Sequence, residues 1–340
     1  MTYSCLVVGG AGYIGSHMCR VLLAAGHRVC VFDNLSRGHR DAIGGAGFVE
    51  GDVRSMPDLA RAFAAGPFDV VMDFAALAYV GESVLQPALY YDNNLRGSLN
   101  LINAMLASDT RHLVFSSTCA TYGDPTAGLL TEAHPQRPVN PYGRTKLMVE
   151  AALRDYGAAH VLRSISLRYF NAAGCDPSRE LGERHDPETH LIPLAIREAL
   201  RIAGGGDPAA TELSILGADY ATPDGTCVRD YVHVNDLCAA HLAAARRLLS
   251  GVVAGAEAYN LGTGIGHSVR QVIDTCRRVT GMDIRYRVAP RRAGDCASLV
   301  ASAERAREVL DWQAGFTQLD DIIRTAWDRA LAVGHEGAVR

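Results

Sequence analysis

The sequence predicts an α/β fold, in which a doubly wound parallel sheet is followed by a smaller C-terminal α/β region. Two observations predict the sheet: short apolar runs alternate with helical patterns through the first half of the chain, and a glycine-rich turn follows the first run. Frequent polar, Gly- and Pro-rich connections after residue 172 predict the C-terminal region. We expect one domain over residues 1–171 and a second region over 172–340, with part of 229–265 returning to the first domain.

Six short apolar runs in the first half are the expected strands. They are Cys5–Val8, Arg28–Phe32, Phe48–Glu50, Val70–Phe74, His112–Ser116 and Ser164–Tyr169. Helical periodicity is found between them, over Ile14–Ala25, Pro57–Ala64, Leu89–Ala107 and Pro141–Tyr156. Because strands alternate with helices, the strands should be parallel, and ligands should bind at their carboxyl ends.

Charge and composition limit the classes of protein to which the chain can belong. Among its 340 residues, Lys and Arg number 33 and Asp and Glu number 37, and the net charge of −4 disfavours nucleic acid as a partner. No secretory segment is visible, and no apolar run approaches the roughly 18 residues of a membrane span. The nine cysteines include no C-x-x-C pair, so we expect reduced thiols, a cytoplasmic location and no metal.

The segment after the first strand has the spacing of a dinucleotide-binding turn. Gly9 permits a tight turn, Gly12 lets the backbone approach a pyrophosphate, and Gly15 allows the helix to pack close to the sheet. The N–H groups that open this helix then face the phosphates. Asp33 ends the second strand, where a carboxylate binds ribose hydroxyls and repels a 2′-phosphate. These residues predict a Rossmann domain that binds NAD rather than NADP.

Several other segments invite a functional interpretation. Asp52, after the third strand, either meets the adenine amino group of the cofactor or caps the helix that follows. The glycine-rich Gly262–Gly266 is interpreted as a structural turn and not as a second cofactor site. His27, His233 and His241 have no evident acid–base partner in the sequence, so we expect no catalytic role for them.

Three residues carry the chemistry that the sequence predicts. Tyr142 and Lys146 are four positions apart and therefore share one helix face. We expect the cation of Lys146, with NAD⁺ nearby, to lower the phenol pKa of Tyr142 from its usual value of about 10, and a phenolate can act as general base. Thr118, at the end of the fifth strand, is placed to hydrogen-bond the same substrate hydroxyl.

With these residues in place, the sequence resembles the extended short-chain dehydrogenase/reductase family, and within it the UDP-sugar 4-epimerases. The resemblance covers nearly the whole chain. Its markers are Gly9–His17, Asp33–Ser36, Phe74–Val84, Tyr90–Asn94, Phe115–Gly123, Pro141–Glu150, Arg168–Asn171, Gly225–Val234, Tyr259–Gly264 and Pro290–Asp295. Dehydratases of the family carry an Asp-Glu pair after the catalytic Thr, whereas Cys119 and Ala120 stand here. The resemblance therefore implies an isomerase that oxidises C4 of a UDP-sugar and reduces it from the other face.

The resemblance also implies the binding residues and the assembly. The cofactor contacts that it implies are Gly9, Gly12, Tyr13, Ile14, Gly15, Asp33, Asn34, Ser36, Asp52, Val53, Phe74, Ala75, Ala76, Asn93, Ser116, Tyr142, Lys146 and Tyr169. The implied substrate contacts are Thr118, Tyr142, Asn171, Leu191, Ser214, Ile215, Leu216, Arg229, Tyr231, Arg292, Asp295 and Leu299. A homodimer formed through Leu89–Ala107 and Pro141–Tyr156 is implied as well.

The sequence leaves two properties undetermined: which sugar the substrate carries, and how tightly the protein retains NAD. Ala78 stands where many family members carry a lysine that reaches the cofactor phosphate, so we expect weaker retention of NAD. The Ala78-Tyr79 pair also occurs in pentose-type epimerases, so UDP-xylose and UDP-arabinose are the alternative to UDP-glucose and UDP-galactose. Leu299 disfavours UDP-N-acetylglucosamine, because an apolar wall leaves an acetamido group unpaired. A dehydrogenase that releases its cofactor and a non-catalytic NAD-sensing protein are the competing hypotheses.

Overall fold

The strands and helices of the computed structural model, which describes residues 2–125 and 128–338, follow in chain order. The strands are β1 (Ser4–Val8), β2 (Arg28–Asp33), β3 (Gly47–Glu50), β4 (Val70–Asp73), β5 (His112–Thr118), β6 (Arg163–Tyr169), β7 (Asn171–Ala173), β8 (Ser214–Leu216), β9 (Val228–His233), β10 (Ala256–Leu261), β11 (Gly266–Ser268), β12 (Arg287–Ala289) and β13 (Ser298–Leu299). The helices are α1 (Tyr13–Ala24), α2 (Met56–Ala64), α3 (Val80–Leu85), α4 (Pro87–Tyr90), α5 (Gly97–Ala107), α6 (Pro141–His160), α7 (Leu191–Ala203), α8 (Val234–Leu249), α9 (Val269–Thr280), α10 (Glu304–Leu310) and α11 (Leu319–Ala338).

The central sheet is parallel throughout. Within the described residues it has seven strands in the order β10-β6-β5-β4-β1-β2-β3. The order 3-2-1-4-5-6 of its first six strands is that of a doubly wound sheet, whose switch point lies between β1 and β4. The predicted fold class is confirmed.

Hydrophobic cores cover both faces of this sheet. On one face, α1 and α8 pack through residues such as Met18 and Leu237, and on the other, α2, α5 and α6 pack through residues such as Leu101 and Val149. Successive residues of β1 alternate between the two cores, and all five are buried. This double burial explains why the strands are continuous apolar runs rather than alternating ones.

The expected elements of the first half are present with small differences at their ends. Each of the six expected strands differs from its observed bounds by at most two residues at either end. The helix expected over Leu89–Ala107 is instead divided, because a π-helical turn at Tyr91–Arg96 separates α4 from α5. The π turn spans only six residues within a helical segment, too few for the apolar pattern to distinguish it from an α-helix.

The second half adds a smaller layered region and one strand of the central sheet. Strand β9 pairs with β7, β11 and β13, while β8 pairs with β12. Helices α7, α9 and α11 pack together over a third core that includes Ile192, Ile273 and Ile323. Strand β10 joins the central sheet beside β6, and α8 packs across β5 and β6. No helix in the described part of the chain is both long and apolar enough to cross a membrane.

Candidate active site

The glycine-rich turn joins β1 to α1 at the carboxyl edge of the central sheet. Gly9 has a φ of +75°, and a Cβ there would lie 2.6 Å from the backbone nitrogen of Ala75, so the position requires glycine. Gly12 is the N-cap residue of α1, so the cap position carries no side chain and the first N–H groups face outward. Tyr13 and Ile14 begin the helix, and the Tyr13 hydroxyl donates to the carbonyl of Gly174 at 2.5 Å.

Asp33 holds the turn against the end of β2. Its Oδ2 accepts from the backbone N–H of Ala11 at 2.9 Å, and its Oδ1 accepts from that of Leu35 at 2.8 Å. The carboxylate is buried, and this burial raises its pKa. Each oxygen keeps a lone pair for a further donor, so the carboxylate can still bind ribose hydroxyls.

Asp52 is held by an ion pair and does not cap the following helix. Its Oδ2 accepts from the Arg54 guanidinium at 2.6 Å and from the Asn34 amide at 3.0 Å. Hydrogen bonds from Arg54 hold the pKa of Asp52 well below its usual range. Helix α2 is capped instead by Ser55, whose side chain accepts from the N–H of Asp58. The capping interpretation of Asp52 is therefore wrong. Val53 is buried in the core behind it, and Ser36 is exposed nearby.

The segment after β4 lies against the glycine turn and is fixed by Asn94. The amide of Asn94 accepts from the N–H of Leu77 at 2.9 Å and donates to the Leu77 carbonyl at 2.9 Å. The predicted cofactor contacts Phe74, Ala75, Ala76 and Asn93 lie along this segment or beside Asn94. Ala78 is exposed just beyond them.

Thr118, Tyr142 and Lys146 come together where β5 ends beside the start of α6. Tyr142 lies in the first turn of α6, which is fixed by Asn140: the Asn140 side chain accepts from the N–H of Gly143 at 2.8 Å. Lys146 is 3% exposed, and its Nζ donates to the carbonyl of Ser116 at 2.8 Å. The Thr118 side chain lies next to the Tyr142 phenol.

The expected lowering of the Tyr142 pKa is not produced by the protein side chains. Burial raises the pKa of Tyr142 to about 12, although the neighbouring Thr118 side chain opposes the shift. Burial also lowers the pKa of Lys146 to about 8, against the opposing effect of Asp73 and Glu150. Sequence spacing places the two side chains on one helix face but does not reveal this burial. The lowering of the Tyr142 pKa that is expected with NAD⁺ bound stays a prediction.

A buried ion pair that the sequence reasoning missed lies directly behind Thr118. The Arg168 guanidinium donates to both Glu150 oxygens, at 2.9 and 2.6 Å, and the Ser117 hydroxyl donates to Glu150 at 2.5 Å. Arg168 also donates to the Tyr122 hydroxyl at 2.8 Å. These contacts tie α6 to β5 and β6. Glu150 and Arg168 belong to the markers Pro141–Glu150 and Arg168–Asn171, but their pairing depends on tertiary contact, which the sequence does not reveal.

A second buried chain of hydrogen bonds runs behind Ser116. The Ser116 hydroxyl lies 3.0 Å from the Tyr169 hydroxyl, which lies 2.5 Å from Nε2 of His241. The other ring nitrogen of His241 lies 2.9 Å from the carbonyl of Leu237. Because that nitrogen must donate to a carbonyl, Nε2 is the acceptor and Tyr169 donates to it. His241 thereby fixes the hydroxyl directions of two predicted cofactor contacts.

A cavity of about 790 Å³ lies between the segment after β4 and helix α7. Ser214, Leu216 and Arg292, which are predicted substrate contacts, line it together with Tyr79 and Glu188. The side chain of Ile215 points the opposite way into the third core, as strand alternation requires, so only its backbone can reach a ligand here. The proposed catalytic residues are not among those that line the cavity.

Two arginines meet at the edge of this region around one carboxylate. Arg292 donates to Asp295 through two nitrogens, at 3.0 and 2.9 Å. Arg229 Nη2 lies 4.0 Å from the same carboxylate. The remaining predicted substrate contacts are distributed around them. Leu191 begins α7, Asn171 pairs with Tyr231 between β7 and β9, and Leu299 is buried at the register of Arg229.

The chain matches a known protein family over most of its length. The sequence profile of the NAD dependent epimerase/dehydratase family matches residues 5–262. The chain belongs to this family. Its cofactor is NAD, which confirms the prediction made from the glycine turn and Asp33.

Individual relatives of this epimerase/dehydratase match almost end to end. A UDP-glucose 4-epimerase from Rhizobium leguminosarum bv. trifolii is 48% identical over 95% of this chain and 96% of its own length. The crystal structure of UDP-glucose 4-epimerase from Brucella ovis in complex with NAD has a TM-score of 0.89 at 45% identity, and covers 97% of this chain and 98% of its own. The UDP-Glc/GlcNAc 4-epimerase from Campylobacter jejuni has a TM-score of 0.80 at 40% identity, with 97% and 99% covered.

Proposed function

We propose that this chain is an NAD-dependent UDP-sugar 4-epimerase that interconverts UDP-glucose and UDP-galactose. The observation that carries this proposal is the meeting of Thr118, Tyr142 and Lys146 beside the dinucleotide turn. The relatives support it, since UDP-glucose 4-epimerases match nearly the whole chain at 45–48% identity. UDP-xylose and UDP-arabinose are the alternative substrates, and UDP-N-acetylglucosamine is disfavoured by the buried, apolar Leu299.

The residues of the first domain fit NAD. A Cβ at Gly9 would collide with the backbone after β4, whereas the nearest atom to a Cβ at Gly12 would be the Gly9 carbonyl oxygen at 3.4 Å, so the surface above the turn is open. The turn would hold the pyrophosphate, Asp33 the ribose, and Ser116 and Tyr169 the nicotinamide end. NAD bound there would supply the hydride-transfer chemistry at C4 of the sugar.

Tyr142 is the proposed general base and acid. It takes the proton of the 4-hydroxyl as C4 becomes a ketone, and it returns that proton when C4 is reduced from the opposite face. Thr118, which lies next to the phenol, orients the same hydroxyl. Lys146, fixed on the Ser116 carbonyl, brings positive charge to this end of the site.

The nucleotide part of the substrate is proposed to bind in and beside the cavity. Arg229 and Arg292 would bind the diphosphate, because a guanidinium pairs with phosphate oxygens through parallel hydrogen bonds. Asn171 would contact the same diphosphate, Leu191 and residues 214–216 would frame the uracil, and Tyr231 and Asp295 would hold the uridine ribose. Arg292 contacts Asp295 through Nε and Nη2 only, so the other N–H donors of its guanidinium can bind phosphate.

We further propose a homodimer that acts in galactose metabolism in the cytoplasm. The nine cysteines are all free and buried, which fits a reducing compartment. Helices α5 and α6 are the proposed dimer contact, and Met148 on α6 is 43% exposed.

The function is tested with UDP-glucose and catalytic NAD⁺, without added reductant. An epimerase should accumulate UDP-galactose over many turnovers while NADH absorbance stays constant. A dehydrogenase that releases its cofactor should instead produce NADH in step with product. A non-catalytic NAD-sensing protein should leave UDP-glucose unchanged. The same assay with UDP-xylose and UDP-N-acetylglucosamine ranks the alternative sugars.

A further inference from the structure

A cluster of four titratable side chains lies between β7 and α7, outside the proposed catalytic residues. One atom each from Glu183, His185, Glu188 and His190 lies within 4.8 Å of the other three. Nδ1 of His190 is 2.8 Å from a Glu183 oxygen and 3.0 Å from a Glu188 oxygen. Nδ1 of His185 is 3.0 and 3.8 Å from oxygens of the same two carboxylates. Two imidazoles and two carboxylates therefore converge on one point.

We propose that these four side chains bind a divalent transition-metal ion, for which Zn²⁺ is the best match. A tetrahedral zinc ion with bonds of about 2.0–2.2 Å holds its ligand atoms about 3.3–3.6 Å apart. Three of the observed nitrogen-to-oxygen distances, at 2.8–3.0 Å, are shorter than that spacing and the fourth, at 3.8 Å, is longer, so the ligand atoms need to move by only a few tenths of an ångström to bind the ion. The imidazoles select such an ion over Mg²⁺ or Ca²⁺, which prefer oxygen ligands alone. The two carboxylates neutralise its charge.

The segment that carries the ligands is held in place by the first domain. His39 Nε2 lies 2.8 Å from the carbonyl of residue 184, Arg37 donates to that of residue 186 at 2.9 Å, and Tyr79 donates to that of residue 187 at 2.9 Å. Oε1 of Glu188 accepts from the N–H groups of residues 189 and 190 at 2.7 and 2.8 Å. Such outer contacts orient metal ligands and reduce the entropy lost on binding.

Burial makes a compensating charge necessary at this position. The side chains of Glu183 and Glu188 are only 7% and 11% exposed, and the two imidazole rings lie 5.2 Å apart. Without a metal, protonated histidines balance the carboxylates in a hydrogen-bonded double ion pair. A metal ion replaces those protons and makes four bonds instead. The double ion pair alone is the competing explanation of the cluster.

A metal ion at this point would fix the segment that lies between the two halves of the chain. His190 is the N-cap residue of α7, and Glu188 lines the cavity in which we place the nucleotide. The first domain grips the same segment from the other side through Tyr79. We expect the ion to stabilise the wall of the cavity and to take no part in the chemistry, because the cluster is separate from Thr118 and Tyr142.

The test is titration of the full-length, chelator-treated protein with Zn²⁺ by calorimetry at about pH 8, where protons compete less. We expect one ion per chain. A hundredfold excess over Kd should raise the Tm by about 3–6 °C. Co²⁺ in place of Zn²⁺ should give the intense visible absorption of a tetrahedral site. Absence of that band, or of stoichiometric binding, overturns the proposal in favour of the double ion pair.

Substitution of the two histidines tests whether the ion binds at this cluster. His185→Asn and His190→Asn should each weaken Zn²⁺ binding by at least about tenfold. The matched control is Glu180→Gln, in the same segment, since the Glu180 side chain is 70% exposed and pairs with Arg20. It should bind as the wild type does. Unchanged affinity in both histidine variants would place the ion elsewhere and overturn the assignment. If either variant unfolds, the Co²⁺ spectrum of the wild type still decides.

Discussion

Burial is the main cause of the shifted pKa values of the reactive residues Tyr142 and Lys146. The pKa of Tyr142 is raised to about 12 and that of Lys146 is lowered to about 8, and burial is the largest cause of both shifts. A buried phenol ionises near neutral pH only where positive charge lies close to it. In the proposed mechanism Lys146 and the bound NAD⁺ must therefore act together, and the phenolate should form at lower pH in the cofactor-loaded enzyme than in the protein alone.

Replacing the Tyr142 hydroxyl tests its role directly. Tyr142→Phe should reduce kcat by about 10² or more, because general acid–base groups contribute factors of this size. Binding of the UDP-sugar should change little, since the ring is kept. The control is Tyr156→Phe on the same helix, since the Tyr156 hydroxyl donates to the surface residue Asn103 at 3.0 Å. Near-full activity of Tyr142→Phe in the epimerase assay would exclude it as the base.

His241 should make the protein sensitive to acid. Burial lowers its pKa to about 4, so the folded protein keeps it neutral while the unfolded chain takes up a proton below about pH 6.5. Its contribution to stability is thus present above pH 6.5 and is lost as the pH falls towards 4. From neutral pH to about pH 5 the wild type should lose about 2 kcal/mol more than His241→Gln does, measured by urea unfolding. The surface variant His112→Gln should follow the wild type; equal losses in all three proteins would refute the assignment.

At the scale of elements, local patterns determine much of the fold, and pairing between distant segments determines the rest. The alternation of apolar strands with helices is local, so the six first strands could be predicted closely. Strand β9 could not be assigned to its sheet, because its partners β7, β11 and β13 are distant in sequence. Asp52 remained ambiguous for a different reason: its ion-pair partner Arg54 and the cap residue Ser55 are close in sequence, but the sequence does not show which neighbouring side chain takes the capping position.

The buried Glu150–Arg168 ion pair is expected to hold α6 against β6, and breaking it should be strongly destabilising. The two side chains are 2% and 5% exposed, so Glu150→Gln would leave a buried guanidinium uncompensated. We expect a loss of about 3–5 kcal/mol in the free energy of unfolding, and a smaller loss in the double variant Glu150→Met, Arg168→Met. The exposed pair Arg278–Asp320 is the control, for which Asp320→Asn should cost about 1 kcal/mol or less. A loss for Glu150→Gln as small as the control would contradict this account.

Over the whole molecule, the proposed site draws on both halves of the chain. The cofactor turn and the catalytic residues lie at the edge of one sheet, so their grouping could be predicted from where strands end. The nucleotide cavity could not, because Arg292, Ser214 and Tyr79 meet only when the second half folds over the first. The four-residue Glu–His cluster was missed for a different reason: its residues are close in sequence, but the expectation of no metal rested on the cysteines alone.

The proposed homodimer is the property of the whole molecule that is simplest to measure. Helices α5 and α6 lie side by side at the surface of the sheet. On α6, the side chain of Met148 is 43% exposed, whereas that of the next residue, Val149, is fully buried. An apolar side chain at the centre of a helical contact stabilises it by removal from water, and a charge there costs desolvation. Light scattering at micromolar concentration should therefore give a dimer for the wild type and a monomer for Met148→Arg. The control is Arg154→Ala, farther along α6 and also exposed, which should stay dimeric. A monomeric wild type would refute the assembly, and a dimeric Met148→Arg would place the contact on another surface.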